Sequence, residues 1–232
     1  MRTNFFLSLL LIILLACSDT TDDSVKETQT VAINDKSNTD INSIMDHSSH
    51  DMASMVVQRE EKDSRALSNL MDTELEARFE LQAADGSIVT ESDFDGQYLL
   101  IGFGFTHCAH VCPTLLSSWA QAVKKLSKEK QGKLQGIFIS LDPQRDTPAI
   151  TDSYSKNFDP RFVGLSGNTE QIETITKNLR ISYVRVPLGG DSYKIDHTSI
   201  SYLVSPAGKA IELFGFGIAS TEIAEKISAL IP

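Results

Sequence analysis

Hydrophobic positions fall into three regimes along the 232-residue chain. An apolar run from Phe5 to Leu15 opens it, a polar stretch with scattered single Val and Ile residues follows, and regular patterning begins only near Phe79. Phe79-Glu-Leu-Gln and Ser87-Ile-Val-Thr flank Ala84-Asp85-Gly86, which predicts a hairpin whose glycine is free to take a positive φ. Tyr98–Phe105 is almost continuously apolar, as a buried central strand should be. Cys112, Leu115, Leu116, Trp119, Val123 and Leu126 then recur at helical spacing. Gln135–Leu141 reads as the next strand, Ile150, Tyr154 and Phe158 stripe a helix, and Phe162–Leu165 makes a short strand. Ile172, Ile175 and Leu179 stripe another helix, and strands are expected at Ile181–Val186 and Ser199–Val204, separated by a Gly-Gly loop. Pro206-Ala-Gly208 turns the chain into Lys209–Phe216, and Ile223, Ile227, Leu230 and Ile231 stripe a closing helix.

This order, strand–helix–strand–helix and then antiparallel strands and a helix, predicts an α/β domain over residues 79–232. Its plan is thioredoxin-like: a mixed central sheet flanked by helices, here with an N-terminal hairpin extension. A domain of this size buries about two-thirds of its unfolded surface, so its core needs no disulfide staple.

The N-terminus changes how the cysteines are counted. Arg2, the Phe5–Leu15 run and Leu14-Leu15-Ala16-Cys17 read as an export signal, residues 1–16. Its end resembles the lipobox of bacterial lipoproteins, which implies diacylation of Cys17. The domain would then sit in the periplasm of a bacterial cell envelope, lipid-anchored to a membrane that could be the inner or the outer one. Of three cysteines only Cys108 and Cys112 would remain as thiols. Residues 17–78 are too polar to build a core and read as a tether. The formal charge is −10, and −11 once Arg2 is removed, which argues against nucleic acid as a partner.

Within the tether, Met45, His47, His50, Met52 and Met55 gather three of the five methionines and two of the five histidines. Thioether and imidazole suit copper and hold no advantage for magnesium or calcium, so the segment 45–55 is a candidate auxiliary metal site as well as an ordinary linker. The main chemistry lies in Phe105-Thr-His107-Cys108-Ala-His110-Val-Cys112-Pro113. Residues four apart share a helix face, so both sulfurs can address one point. A helix N-terminus there favours thiolate. Such a pair can close a redox disulfide or grip one soft metal ion. The three-residue spacer, one longer than dithiol redox enzymes typically use, leans toward metal. His197, in Asp196-His197-Thr198, is the third candidate donor: on the thioredoxin plan its loop passes over the thiols, where redox enzymes usually place a cis-proline. Asp196 beside it could orient the ring. Asp142, Arg145 and Asp146, in a loop expected at the same end, read either as turn chemistry or as a rim for a docking partner.

Together Phe105-Thr-His-Cys-x3-Cys-Pro113, Ser140-Leu-Asp142-Pro-Gln-Arg145-Asp-Thr147, Val163-Gly-Leu-Ser-Gly167 and Asp196-His197-Thr198 resemble the Sco/SenC family of membrane-tethered, thioredoxin-like copper proteins. The resemblance implies one copper ion, Cu(I) or Cu(II), on Cys108, Cys112 and His197. It also implies delivery to the CuA subunit of cytochrome c oxidase, or to another periplasmic cuproprotein, by a carrier rather than an enzyme. A thiol–disulfide oxidoreductase acting on partner cysteines is the alternative, and a periplasmic copper buffer or redox sensor a third reading. Two positions depart from the pattern: Ala109 and His110 stand where the family commonly has proline and an acidic residue. His110 is an auxiliary donor if the segment is a loop and points away from the sulfurs if it is helical. His107 matches a frequent family residue that supports the site.

Overall fold

The computed structural model describes residues 74–232; the expected signal over residues 1–16, Cys17 and the Met45–Met55 segment lie outside the described residues. The chain forms β1 (Glu80–Gln82), β2 (Ile88–Thr90), a 3₁₀ turn (Glu91–Phe94), β3 (Tyr98–Gly104), α1 (Val111–Lys125), α2 (Lys128–Gly132) and β4 (Leu134–Ser140). It continues with α3 (Pro148–Lys156), β5 (Val163–Leu165), α4 (Thr169–Asn178), β6 (Tyr183–Gly189), β7 (Ser192–His197), β8 (Ile200–Val204), β9 (Ala210–Gly215) and α5 (Ser220–Leu230).

The main sheet runs β5-β4-β3-β8-β9. β3, β4 and β5 are parallel, while β8 pairs antiparallel with both β3 and β9. This is the expected mixed α/β sheet. Side-chain alternation on β3 divides the core: Leu99, Ile101 and Phe103 join Ile172 and Ile175 of α4 on one face. Leu100 joins Leu116, Trp119 and Val123 of α1 and Ile223 and Ile227 of α5 on the other. Gly102 and Gly104 share that second face with Leu100, and their missing side chains let α1 lie close. The β1–β2 hairpin forms as expected, with Gly86 at φ 83°. The folded body begins ahead of the Phe79 boundary expected, because Leu75 and Ala77 are already buried and Ala77 N–H donates to the Gly208 carbonyl.

Three elements differ from the sequence expectation. The Gly-Gly pair does not separate two strands of the main sheet; it closes a two-stranded ribbon of its own, β6–β7, with Gly189 and Gly190 both at positive φ. β7 was missed although Tyr193, Ile195 and His197 alternate with Lys194 and Asp196, a period-two signal. The ribbon stays outside the sheet because it has little to bury: Val184 and Leu188 are 57% and 59% exposed, and Ile195 is its buried residue. On α3 the expected stripe packs inward only in part: Tyr154 and Phe158 lie partly buried against the core, but Ile150 is 45% exposed, and the buried positions are Thr151, Asp152 and Ser155. The reason is proximity. The α3 backbone lies so near β5 that a Cβ on Gly164 would sit 2.2 Å from the Thr151 carbonyl oxygen, which leaves no room for large side chains. Finally, Leu230 is partly exposed, and the closing helix buries Ile223, Ala224, Ile227 and Ile231.

Candidate metal and thiol site

β3 delivers the motif to the carboxyl end of the sheet, where open α/β sheets place their ligands. Phe105 is buried just past the strand, and its carbonyl accepts the Cys108 N–H at 3.2 Å. The chain then enters α1 with His110 as N-cap, so Cys112 lies in the first helical turn. Cys112 is wholly buried; Cys108 is half-buried, and its sulfur accepts the Cys112 N–H at 3.5 Å. Gly104 makes this seat. A Cβ there would lie 2.5 Å from the Cys112 sulfur and 2.9 Å from the Phe138 ring.

The two thiols, both free, are electrostatically unequal. Cys108 is pulled down to about 5, first by its hydrogen bond with Cys112 and then by backbone N–H groups of the helix start, against the opposing effect of burial. Cys112 is pushed up by the same pairing and by its own burial. One sulfur is an accessible thiolate at neutral pH and the other a protonated reserve.

His197 ends β7. Its ring packs edge-on against Phe105, with ring centroids 6.3 Å apart, so Phe105 is a common neighbour of the imidazole and the thiol loop. Its Nδ1 lies 2.9 Å from the Thr198 carbonyl oxygen. A carbonyl only accepts, so Nδ1 carries the proton and Nε2 keeps the lone pair that could bind a metal. Asp196 does not orient this ring as expected. Successive strand residues point to opposite faces, and Asp196 instead pairs with Lys194 at 2.8 Å. Among the described residues, no three His, Cys, Asp or Glu side chains stand together as a ready-made metal cluster. The sulfurs are adjacent, and the imidazole waits beside Phe105.

His110 is exposed and caps with its backbone, its carbonyl accepting the Thr114 hydroxyl at 2.8 Å. His107 is also exposed; its Nδ1 is 3.2 Å from the Thr106 hydroxyl and 3.6 Å from Asp146. The loop after β4 is more than a rim. Asp146 is fully buried and accepts from Thr106 N–H at 2.8 Å, from the Thr106 hydroxyl at 2.6 Å and from the Ser140 hydroxyl at 2.7 Å. It thereby ties the thiol loop to β4. Asp142 is buried too, taking hydrogen bonds from Arg145 and from the Tyr193 hydroxyl. Both aspartates are therefore internal braces, and the docking-rim reading does not hold for them.

A model of the family described as SCO1/SenC matches residues 68–232. The chain belongs to the SCO1/SenC family. A SCO2-like protein of Rickettsia felis is 39% identical over 149 residues, spanning 63% of this chain and 72% of that protein. Bradyrhizobium japonicum ScoI, solved with copper bound, superposes with a TM-score of 0.61 at 34% identity, over 67% of this chain and 98% of that one. BsSco, described as carrying a disulfide switch and as a member of the Sco family of cytochrome c oxidase assembly proteins, is 26% identical. Its TM-score is 0.54 over 67% of this chain and 93% of its own. The family's thioredoxin-like α/β fold is the one read from the sequence. Sequence reasoning gave no role to Gly104, Thr106, Ser140 or Tyr193, which shape this SCO1/SenC site. Thr106 and Ser140 stand inside the quoted motifs and Tyr193 left a signal in the alternation of β7, but the contacts that give these residues their roles join positions distant in sequence.

Proposed function

We propose that the chain carries one copper ion on Cys108, Cys112 and His197 and passes it to the CuA site of cytochrome c oxidase or to another periplasmic cuproprotein. The domain would work on a lipid tether from Cys17, on the periplasmic side of a bacterial membrane, with the Met45–Met55 segment as an auxiliary store. The observation that carries the reading is the sulfur pair: two adjacent thiols at a helix start, one already inclined to thiolate, with the His197 imidazole packed against Phe105 at the start of the same loop. Two thiolates and an imidazole form a soft-to-borderline donor set that accepts both copper oxidation states and disfavours hard cations. The copper-bound Bradyrhizobium relative supports the cargo, and BsSco, a member of the Sco family of cytochrome c oxidase assembly proteins, supports the destination. Within the chain, Cys108 offers its thiolate, Cys112 must give up its proton on loading, and His197 is the donor easiest to exchange for a partner's ligand.

The test is copper titration followed by absorption and EPR. Wild type should take up one tight equivalent, with sulfur charge-transfer bands that vanish in Cys108→Ser and Cys112→Ser. His197→Ala should weaken binding and change the nitrogen signature. Undiminished copper affinity in the double serine variant would end this reading.

A second reading has its own support, the inequality of the two thiols. The Cys108 thiolate would attack a partner disulfide, forming a mixed disulfide and expelling one partner thiolate. Cys112 would then lose its proton and attack the Cys108 sulfur, releasing the partner fully reduced and leaving Cys108–Cys112 oxidised. Turnover of a partner disulfide that persists in His197→Ala would favour it.

A further inference from the structure

His197 sits on an arm that the main sheet does not hold. The β6–β7 ribbon pairs only with itself, so its position depends on side-chain anchors and on the ends where it joins the body. At its base, Thr198 N–H donates to the Ser182 carbonyl at 2.9 Å. Near the turn end of β7, Tyr193 supplies the polar anchor. Its hydroxyl donates to Asp142 Oδ1 at 2.7 Å, and Asp142 is wholly buried at the end of β4. The Tyr193 phenol is held above its ordinary range by desolvation and the Asp142 carboxylate, so it stays a donor. Arg145 closes the clasp: its Nε donates to Asp142, its Nη1 donates to the Tyr193 carbonyl at 3.1 Å, and its guanidinium lies 3.7 Å from the Tyr193 ring centroid. Arg185 of β6 covers the same ring at 4.1 Å, which ties both ribbon strands to it.

The clasp also reaches the site. The Arg145 guanidinium stands 5.9 Å from the Phe105 ring centroid, and Phe105 is the residue against which His197 packs. One loop thus braces both halves: Asp146 holds Thr106 beside the thiols, and Asp142 with Arg145 holds Tyr193 on the strand that ends in His197.

From this juxtaposition we infer that Tyr193, Asp142 and Arg145 are positioning residues for His197, anchoring the ribbon so that its imidazole is kept beside the thiol loop. The inference rests on the assignment of His197 as a copper donor. With the clasp intact, little ordering of the arm is left to occur when the imidazole binds metal, and preorganisation of that kind strengthens binding. Opening the clasp leaves the fold intact, because the sheet does not use the ribbon, yet lowers the effective concentration of the imidazole at the sulfurs.

Tyr193→Phe in the full chain removes one hydroxyl and keeps the ring stacked between the arginines; Leu188→Ala, at the exposed ribbon tip, is the control. Without metal, amide hydrogen exchange at residues 193–198 should accelerate about tenfold in Tyr193→Phe, with β3 and β4 unchanged, and Leu188→Ala should match wild type. With copper, Tyr193→Phe should bind about tenfold more weakly and lose part of the nitrogen signature, whereas in a His197→Ala background the same change should do nothing further. Unaltered exchange at 193–198 overturns the clasp whatever copper does. A copper loss that persists at full size in the His197→Ala background means the hydroxyl acts elsewhere, which also overturns it. If exchange accelerates as expected but His197→Ala binds copper like wild type, the donor assignment fails, and the positioning role fails with it, while the anchoring of the ribbon stands.

Discussion

Adding one methyl group to β3 separates the seat of the thiols from the stability of the fold. Gly102 and Gly104 both face α1, but a Cβ on Gly104 would meet the Cys112 sulfur at 2.5 Å and Phe138 at 2.9 Å, while one on Gly102 would meet Trp119 at 2.6 Å. Neither glycine has a positive φ, so alanine introduces no backbone strain at either position. Contacts under 3 Å in a packed core force neighbours aside, and overpacking of this kind costs about 1–3 kcal/mol. For a domain of this size that is a fall in melting temperature of roughly 2–12 °C, measurable by calorimetry. Both variants should show it. Only Gly104→Ala should also displace the Cys112 sulfur from Cys108, weakening the hydrogen bonding that keeps Cys108 acidic, so its alkylation should shift toward higher pH and copper uptake should weaken. Gly102→Ala should leave both properties at wild-type values. The reasoning is refuted if Gly104→Ala melts with wild type and titrates normally, or if Gly102→Ala disturbs the thiols equally.

Three further outcomes rest on the same geometry. Cys108, depressed to about 5, should react with iodoacetamide at a rate that is level from neutral pH down to about 6 and falls as pH drops through 5, with Cys112 unreactive in the folded protein. The linked stability has a definite sign: a lowered folded-state pKa stabilises fully above the unfolded thiol range, near 8.5, and that contribution is lost as pH falls toward 5. The raised Cys112 acts oppositely, removing stability above the unfolded thiol range, so melting temperature followed against pH in wild type and in Cys112→Ser should diverge on the alkaline side. Asp146→Ala strands the buried Ser140 hydroxyl and leaves the part-buried Thr106 N–H and hydroxyl without their partner, so at about 1–3 kcal/mol for a buried unsatisfied group the loss should be at least about 1–3 kcal/mol by urea denaturation. A loss under about 1 kcal/mol would show that Asp146 is not the brace of the thiol loop.

Local pattern determined much of this protein. The apolar run of β3, the helical stripe beginning at Cys112 and the order of elements were enough to read the mixed sheet and to put two sulfurs at a helix start, because periodicity is a local property that side-chain burial enforces. The expected passage of the Asp196-His197-Thr198 loop over the thiols on the thioredoxin-like plan likewise singled out His197 from five histidines. Other features needed the folded chain. Sequence could not say that the Gly-Gly turn closes a ribbon outside the sheet, since a strand's partner depends on which edge has apolar area to offer. It could not say that α3 turns a polar face inward, since that follows from how closely its backbone lies against Gly164. Nor could it assign Asp142 and Asp146 to the interior or find Tyr193 and Thr106 as their respective partners, because those hydrogen bonds join residues about forty to fifty positions apart. The candidate donors are written in the sequence; which thiol is buried, which is acidic and what holds the imidazole beside Phe105 were decided by packing in three dimensions.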